Sequence, residues 1–276
     1  MDNIIKLYQD FGVDEIISDK PINRFNANKN QKNKELTYKV KEEDLEYKNT
    51  TSFDAISKLA NKNKKIAISN VLTPINDIIS ESRNLADQAN DLEELKKIIL
   101  KFNGCSLKKM ATNTVFSDGN PNSELMIVEE APGNNEDLQG IPLCGDNGKL
   151  LNSMFEAINI KREDLYISNV LFWRPPGNRR PTSDELEICR AFVEKHIYFI
   201  KPKLIVLMGA SAMTQMIGTK KTITQLRGKF LEYDNCYLDQ KIPIITMFHP
   251  SYLMKQAVKK KLAWKDLLNI KEFMNK

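Results

Sequence analysis

The sequence predicts an α/β fold, a three-layer α/β/α sandwich in which helices cover both faces of a largely parallel sheet, preceded by a helical and disordered N-terminal extension. Three observations predict it. Short apolar runs at 125–129, 165–170, 204–208 and 242–247 have the length and the β-branched content of buried strands. Between and after them, 149–158, 183–200, 210–217 and 261–274 carry apolar residues at helical spacing. Strands that alternate with helices in this way build a parallel sheet covered on both sides.

The elements can be justified in chain order. Residues 1–24 hold a short amphipathic piece, L-Y-Q-D-F-G-V-D-E-I-I, that ends near Pro21. Residues 25–50 are rich in Asn, Lys and Glu and bury too little apolar surface to offset their ordering entropy, which reads as a flexible linker. Residues 51–104 form a helical extension, with helices expected at 52–60 and 74–103; in the second, Ile75, Ile78 and Ile79 are followed by Leu85, Leu92, Leu95, Ile98 and Leu100. The compact domain is expected over 105–276. Its long helix at 183–200 has Thr182 or Ser183 as cap, with Glu185 and Glu187 near its positive end.

Composition sets limits. The chain has 276 residues, 41% hydrophobic and 28% charged, the balance of an ordinary soluble protein. No apolar run approaches the ~18 residues that span a membrane, and the N-terminus lacks the basic and apolar regions of a secretory signal. The expected location is the cytoplasm, in association with the nucleoid. Four widely spaced cysteines, Cys105, Cys144, Cys189 and Cys236, form no disulfide framework. A net charge of +5 is compatible with a nucleic-acid partner without requiring one.

The chemistry gathers where strands end, since open α/β sheets bind ligands beyond the carboxyl ends of their strands. After the first run comes E-E-A-P-G-N-N-E-D (129–137). Pro132 and Gly133 make a tight turn, and Glu130 and Glu136 bring two carboxylates, either to a pocket or, as is commoner, to a solvated turn. Asn169 lies inside the second run, where an amide needs partners; it either bonds core backbone or presents one acceptor and two donors to a ligand edge such as N3–H and O4 of uracil. The loop that follows carries Arg174, Gly177, Asn178, Arg179 and Arg180, suited to close approach and phosphate neutralisation, or simply an ordinary surface loop. The last run ends in F-H-P-S-Y-L-M-K (248–255). His249 can donate to negative charge developing on a leaving group. Ser251 can bond a phosphate, and Tyr252, Leu253 or Met254 can wedge into a duplex. His196, inside a helix, reads as structural.

Together these segments resemble the family 4 uracil-DNA glycosylases, over about Cys105 to the C-terminus. The landmarks are G-N-P-N-S-E-L-M-I-V-E-E-A-P-G (119–133), E-D-L-Q-G-I-P-L-C-G (136–145), Y-I-S-N-V (166–170), R-P-P-G-N-R (174–179), I-T-Q-L-R-G-K-F (223–230) and H-P-S-Y-L (249–253). The resemblance implies a central four-stranded parallel sheet and hydrolysis of the bond between uracil and deoxyribose in DNA, the first step of base excision repair. Carried over by position, Glu130, Glu136 and His249 are catalytic, and Ala131, Leu143 and Asn169 bind the base. Pro132, Gly177, Asn178, Arg179, Ser251 and Leu253 contact DNA, with Leu253 as the wedge. DNA containing uracil or a related lesion is the expected partner, and the protein is expected to act as a monomer. The N-terminal extension is a candidate docking segment for a repair or replication protein. The other reading is a uracil- or abasic-DNA-binding module with weak catalysis.

Three departures stand out. The family holds a four-iron, four-sulfur cluster with four cysteines; here Cys105 and Cys189 match two of them, while Phe102 and Trp173 stand at the other two positions. The expectation is therefore no cofactor and no metal, the two aromatic residues filling the space. Leu143 replaces a phenylalanine that stacks on uracil, an exchange expected to weaken uracil binding and to admit other damaged bases. Glu129 stands where the motif opens with glycine, and a buried carboxylate there needs a partner.

Overall fold

The computed structural model describes residues 75–275. The expected helices at 1–24 and 52–60 and the linker at 25–50 fall outside them. The expected 74–103 helix is two helices, α1 (Ile75–Gln88) and α2 (Leu92–Lys101). The break falls at Ala89–Asp91, where the Asp91 side chain accepts from the Glu94 N–H at 2.7 Å and caps the new helix.

Six strands form one sheet: β1 (Ser117–Gly119), β2 (Leu125–Glu129), β3 (Tyr166–Asn169), β4 (Leu204–Met208), β5 (Phe230–Tyr233) and β6 (Ile242–Met247), in the order β1-β3-β2-β4-β6-β5. The four inner strands are parallel, as expected, and β1 and β5 add antiparallel edges. The helices of the domain are α3 (Asn134–Gln139), α4 (Asp146–Glu156), α5 (Ser183–Ile200), α6 (Ala210–Ile217), α7 (Ile223–Leu226), α8 (Pro250–Lys255) and α9 (Lys260–Met274). At α5 the Thr182 hydroxyl accepts from Glu185 N–H and the Glu185 carboxylate accepts from Thr182 N–H, a reciprocal cap.

Each parallel strand is buried on both sides, so its alternate residues feed two cores. Met126, Val128, Tyr166, Ile205 and Leu207 pack with α1, α2 and α5. Leu125, Ile127, Ile167, Val206 and Met247 pack with α4 and α9. Because α2 contributes Leu95 and Ile99 to the first core, the described part of the helical extension is one packed body with the sheet. His196 belongs to that core: it stacks on Phe116 at 4.4 Å and meets Tyr166 Oη at 2.6 Å, and burial lowers its pKa to about 3, so it is neutral. No helix among the described residues is long and apolar enough to cross a membrane.

Candidate active site

The site lies beyond the carboxyl ends of β2, β3 and β6. Glu129 and Asn169 are paired in register at the ends of β2 and β3. By the alternation of the strands both face the α4 and α9 side. His249 follows β6 by two residues and caps α8. Gly209, after β4, makes room for it: at φ +96 it lies where an added Cβ would stand 3.2 Å from the His249 Cβ.

Hydrogen bonds fix the imidazole. Nδ1 accepts from the Ser251 N–H at 3.1 Å and lies 2.7 Å from the Ser251 hydroxyl. The proton is thereby placed on Nε2, which donates to Glu129 Oε1 at 2.7 Å. Burial alone would lower the His249 pKa, but the carboxylates of Glu129, Glu130 and Glu136 override it and hold the imidazole above its ordinary value. Burial raises Glu129, and its bond to His249 offsets part of that. In either protonation state Nε2 carries a hydrogen that faces Glu129.

Among the described residues, four buried polar atoms have no protein partner: Glu129 Oε2, Asn169 Nδ2, Asn169 Oδ1 and Thr246 Oγ1. Three of them belong to the paired residues at the strand ends. Asn169 is 1% exposed, so an amide that serves no bond in the fold is held there at a cost. Both polar atoms of the amide are therefore free to meet a ligand.

Glu136 is committed differently. Oε2 accepts from Gly133 N–H at 3.1 Å, and Oε1 accepts from Cys144 N–H and Gly145 N–H at 3.3 Å each. It ties the turn after β2 to the 140–145 loop, and an added Cβ at Gly133 would lie 2.7 Å from Oε2 and displace the carboxylate. Both carboxylate oxygens of Glu136 are thus engaged by backbone. Alanine here strands three backbone N–H groups and is expected to lower stability by about 1–3 kcal/mol, measured by denaturant unfolding, together with a loss of excision; glutamine, which keeps one acceptor oxygen, is expected to lose less. Glu130 is half-buried and forms no hydrogen bond or ion pair among the described residues. Ala131 is half-buried beside it, packed against the first core.

Several expected positions are corrected. Leu253 is fully buried in the second core, so it cannot enter a duplex; Tyr252 and Met254, 41% and 50% exposed, flank it on the surface of α8. Leu143 is also fully buried, a member of that core rather than an open pocket wall. Its backbone is left-handed at φ 46, held by Arg162, which donates to the Leu143 carbonyl at 3.0 Å and to the Pro142 carbonyl at 2.7 Å while pairing with Asp118. Pro132 is buried and offers no surface to a phosphate. Arg179 and Arg180 are both exposed, but Arg179 spends its charge on Glu185 in a two-pronged bond at 2.9 and 2.6 Å. Ser251 orients His249. Gly177 and Asn178 are exposed as expected, both left-handed, and Arg174 bonds Asn178 Oδ1 and Asn134 Oδ1, bracing this loop against the start of α3. Glu129 was flagged because it stands where the family motif opens with glycine; its histidine partner, 120 positions away, left no local signal.

The chain is similar in sequence to known proteins. The sequence pattern of the Uracil DNA glycosylase superfamily matches residues 116–269. A Type-4 uracil-DNA glycosylase of Thermotoga maritima is 36% identical over 191 residues, 67% of this chain and 97% of that protein. Type-4 uracil-DNA glycosylases of Sulfurisphaera tokodaii and Archaeoglobus fulgidus are 35% and 36% identical, over 66% and 59% of this chain and 84% and 83% of their own lengths.

These relatives overturn the expectation of a cofactor-free protein, because the type-4 family is the one whose resemblance implies an iron–sulfur cluster. The residues at the four ligand positions were tested against that group. Cys105 and Cys189 are buried together; a hydrogen bond from Cys189 lowers the Cys105 thiol, and burial pushes Cys189 up. Phe102 and Trp173 are buried 6.4 Å apart, and the Trp173 indole donates to Thr114. Two thiols and two aromatic rings do not make the four-ligand set of such a cluster, so no chemical step is routed through it. With the superfamily pattern spanning the sheet and its site, and with type-4 relatives matched over most of their length, the chain belongs to the uracil-DNA glycosylase superfamily.

Proposed function

We infer that this protein is a DNA glycosylase that hydrolyses the N-glycosidic bond of uracil in DNA and leaves an abasic site. The observation that carries the reading is the Asn169 amide, buried at a strand end with both polar atoms unpartnered, beside an imidazole whose Nε2–H faces the same space. An amide donor and acceptor side by side match O4 and N3–H of uracil, and the imidazole N–H suits its second carbonyl once it is released from Glu129.

The chemistry follows from charge. The base leaves the stack at a cost of a few kcal/mol. Cleavage places positive charge on the sugar and negative charge on uracil. His249 and Asn169 favour the second, and Glu130 favours the first and orients the attacking water, being the one of Glu130 and Glu136 that is not consumed by backbone. Tyr252 or Met254 fills the gap in the duplex in place of the buried Leu253. Alanine at both is expected to lower excision from duplex DNA by about tenfold while sparing single-stranded DNA, read from the two rates side by side.

The reading extends to action as a monomer in the cytoplasm on nucleoid DNA. Docking of a partner through the N-terminus concerns residues outside those described, and unchanged recruitment after deletion of residues 1–50 would reject it. The Glu129–His249 bond, which occupies the donor meant for the leaving base, favours one second reading: a binding module with weak turnover. Uracil-containing oligonucleotides separate the two. An enzyme leaves alkali-labile sites and loses them with Asn169→Ala; a binder retains DNA and leaves none.

A further inference from the structure

The third position of the recognition edge is altered in this chain, and this inference rests on the glycosylase reading. Uracil presents a carbonyl, a ring N–H and a second carbonyl in sequence. A matching site must offer donor, acceptor and donor. Asn169 supplies the first two from its unpartnered Nδ2 and Oδ1. The third would come from His249 Nε2, the only hydrogen the imidazole turns toward this space, since Nδ1 is held by Ser251. That hydrogen is already taken by Glu129 Oε1 at 2.7 Å.

What remains beside the amide is Glu129 Oε2, an acceptor. It is buried, unpartnered and carried by the residue in register with Asn169. The glutamate side chain is 9% exposed and the histidine 18%, so water competes poorly for either. A second carbonyl arriving here must displace the carboxylate from the imidazole or meet it oxygen to oxygen. A base with an N–H at this point meets an acceptor instead. The order carbonyl, ring N–H, amino N–H is that of the guanine edge, which an oxidised guanine retains.

We propose that Glu129 is a specificity-determining residue that turns the third recognition position from donor to acceptor, restraining uracil excision and favouring a damaged base with a guanine-type edge. The side chain needs no new bond to act: it competes for the one donor that the second carbonyl of uracil would use, and it offers its spare oxygen to an amine. An unpaired polar contact of this kind discriminates more strongly than the loss of an apolar contact.

The test uses the full chain and its Glu129→Gly and Glu129→Gln variants, each checked by thermal melting, on oligonucleotides that carry uracil, xanthine or 8-oxoguanine. Xanthine and 8-oxoguanine are both purines and differ at the third position, carbonyl against amine. The expected result is a rise of about tenfold or more in kcat/KM on uracil in both variants, with wild type removing 8-oxoguanine faster than xanthine and Glu129→Gln reversing that order. A gain of function is a readout that a merely structural role would not produce. Uracil excision that stays unchanged or falls in both folded variants overturns the proposal. Failure of wild type to remove 8-oxoguanine, or faster removal of xanthine, overturns the substrate class. No excision of any base by wild type or either variant defeats the glycosylase reading itself, and the inference with it.

Discussion

Alanine at Asn169 lowers kcat/KM on uracil-containing DNA by about 10²–10³-fold and leaves the protein as stable as before, or slightly more so. The two halves of that result have one cause. Neither polar atom of the amide bonds any of the described residues, although Asn169 is 1% exposed. Folding therefore gains nothing from the side chain and bears the desolvation of its two polar groups. A recognition residue of this kind separates activity from stability, whereas a structural asparagine couples them. The measurement is a pair: single-turnover excision from a uracil oligonucleotide, and a urea unfolding curve. Activity retained alongside a loss of stability would return Asn169 to the core. His249→Ala behaves differently, losing excision and stability together. Its Nδ1 caps α8, and its removal leaves Glu129 as a buried carboxylate without a partner.

What the sequence disclosed and what it hid follow from the range of the interactions concerned. The runs that became β2, β4 and β6 were legible because strands covered on both faces are apolar almost without interruption. The edges were not: β1 is S-D-G and β5 is F-L-E-Y, both short and largely unburied, with no pattern that separates them from loop. The break between α1 and α2 could be found only through the Asp91 cap, since the apolar spacing runs on across it.

In the site, Asn169 and His249 were legible from their positions at strand ends, a consequence of topology that sequence order carries, whereas Glu136 lies further on, in α3. The roles that failed depended on partners far along the chain. Leu253 occupies the buried side of a six-residue helix, and which side that is depends on α4 and α9 packing above it. The aliphatic Leu143 belongs to the same core because Arg162 holds its backbone from 19 residues away.

The largest effect on stability is expected at a residue that the site itself never touches. Asp266, on α9, is 1% exposed at its side chain, and Arg227, just after α7, is 13% exposed. The guanidinium grips both carboxylate oxygens, Nε at 2.9 Å from Oδ2, and also donates to the Leu262 carbonyl. Gly228, at φ +72, lets the backbone pass where any Cβ would strike the carboxylate, which accounts for the R-G pair in the 223–230 motif. Removing one member of a buried pair strands the other, at about 3–5 kcal/mol. Asp266→Ala is therefore expected to lower the melting temperature by ~6–20 °C. The double variant Arg227→Met, Asp266→Leu, which removes both charges and keeps most of the volume, is expected to recover most of that loss. A single variant no less stable than wild type would show that the pair contributes nothing to the fold.

The excision readout extends the argument to the site. The Arg227 guanidinium lies 5.5 Å from the Phe248 ring centroid, and Phe248 precedes His249. If the pair also holds that histidine in place, Asp266→Ala loses excision at temperatures where it is still folded, because a misplacement of about 1 Å in a catalytic group costs on the order of 10²-fold. Full activity of the folded single variant would confine the pair to stability and leave the placement of His249 to Gly209 and Ser251.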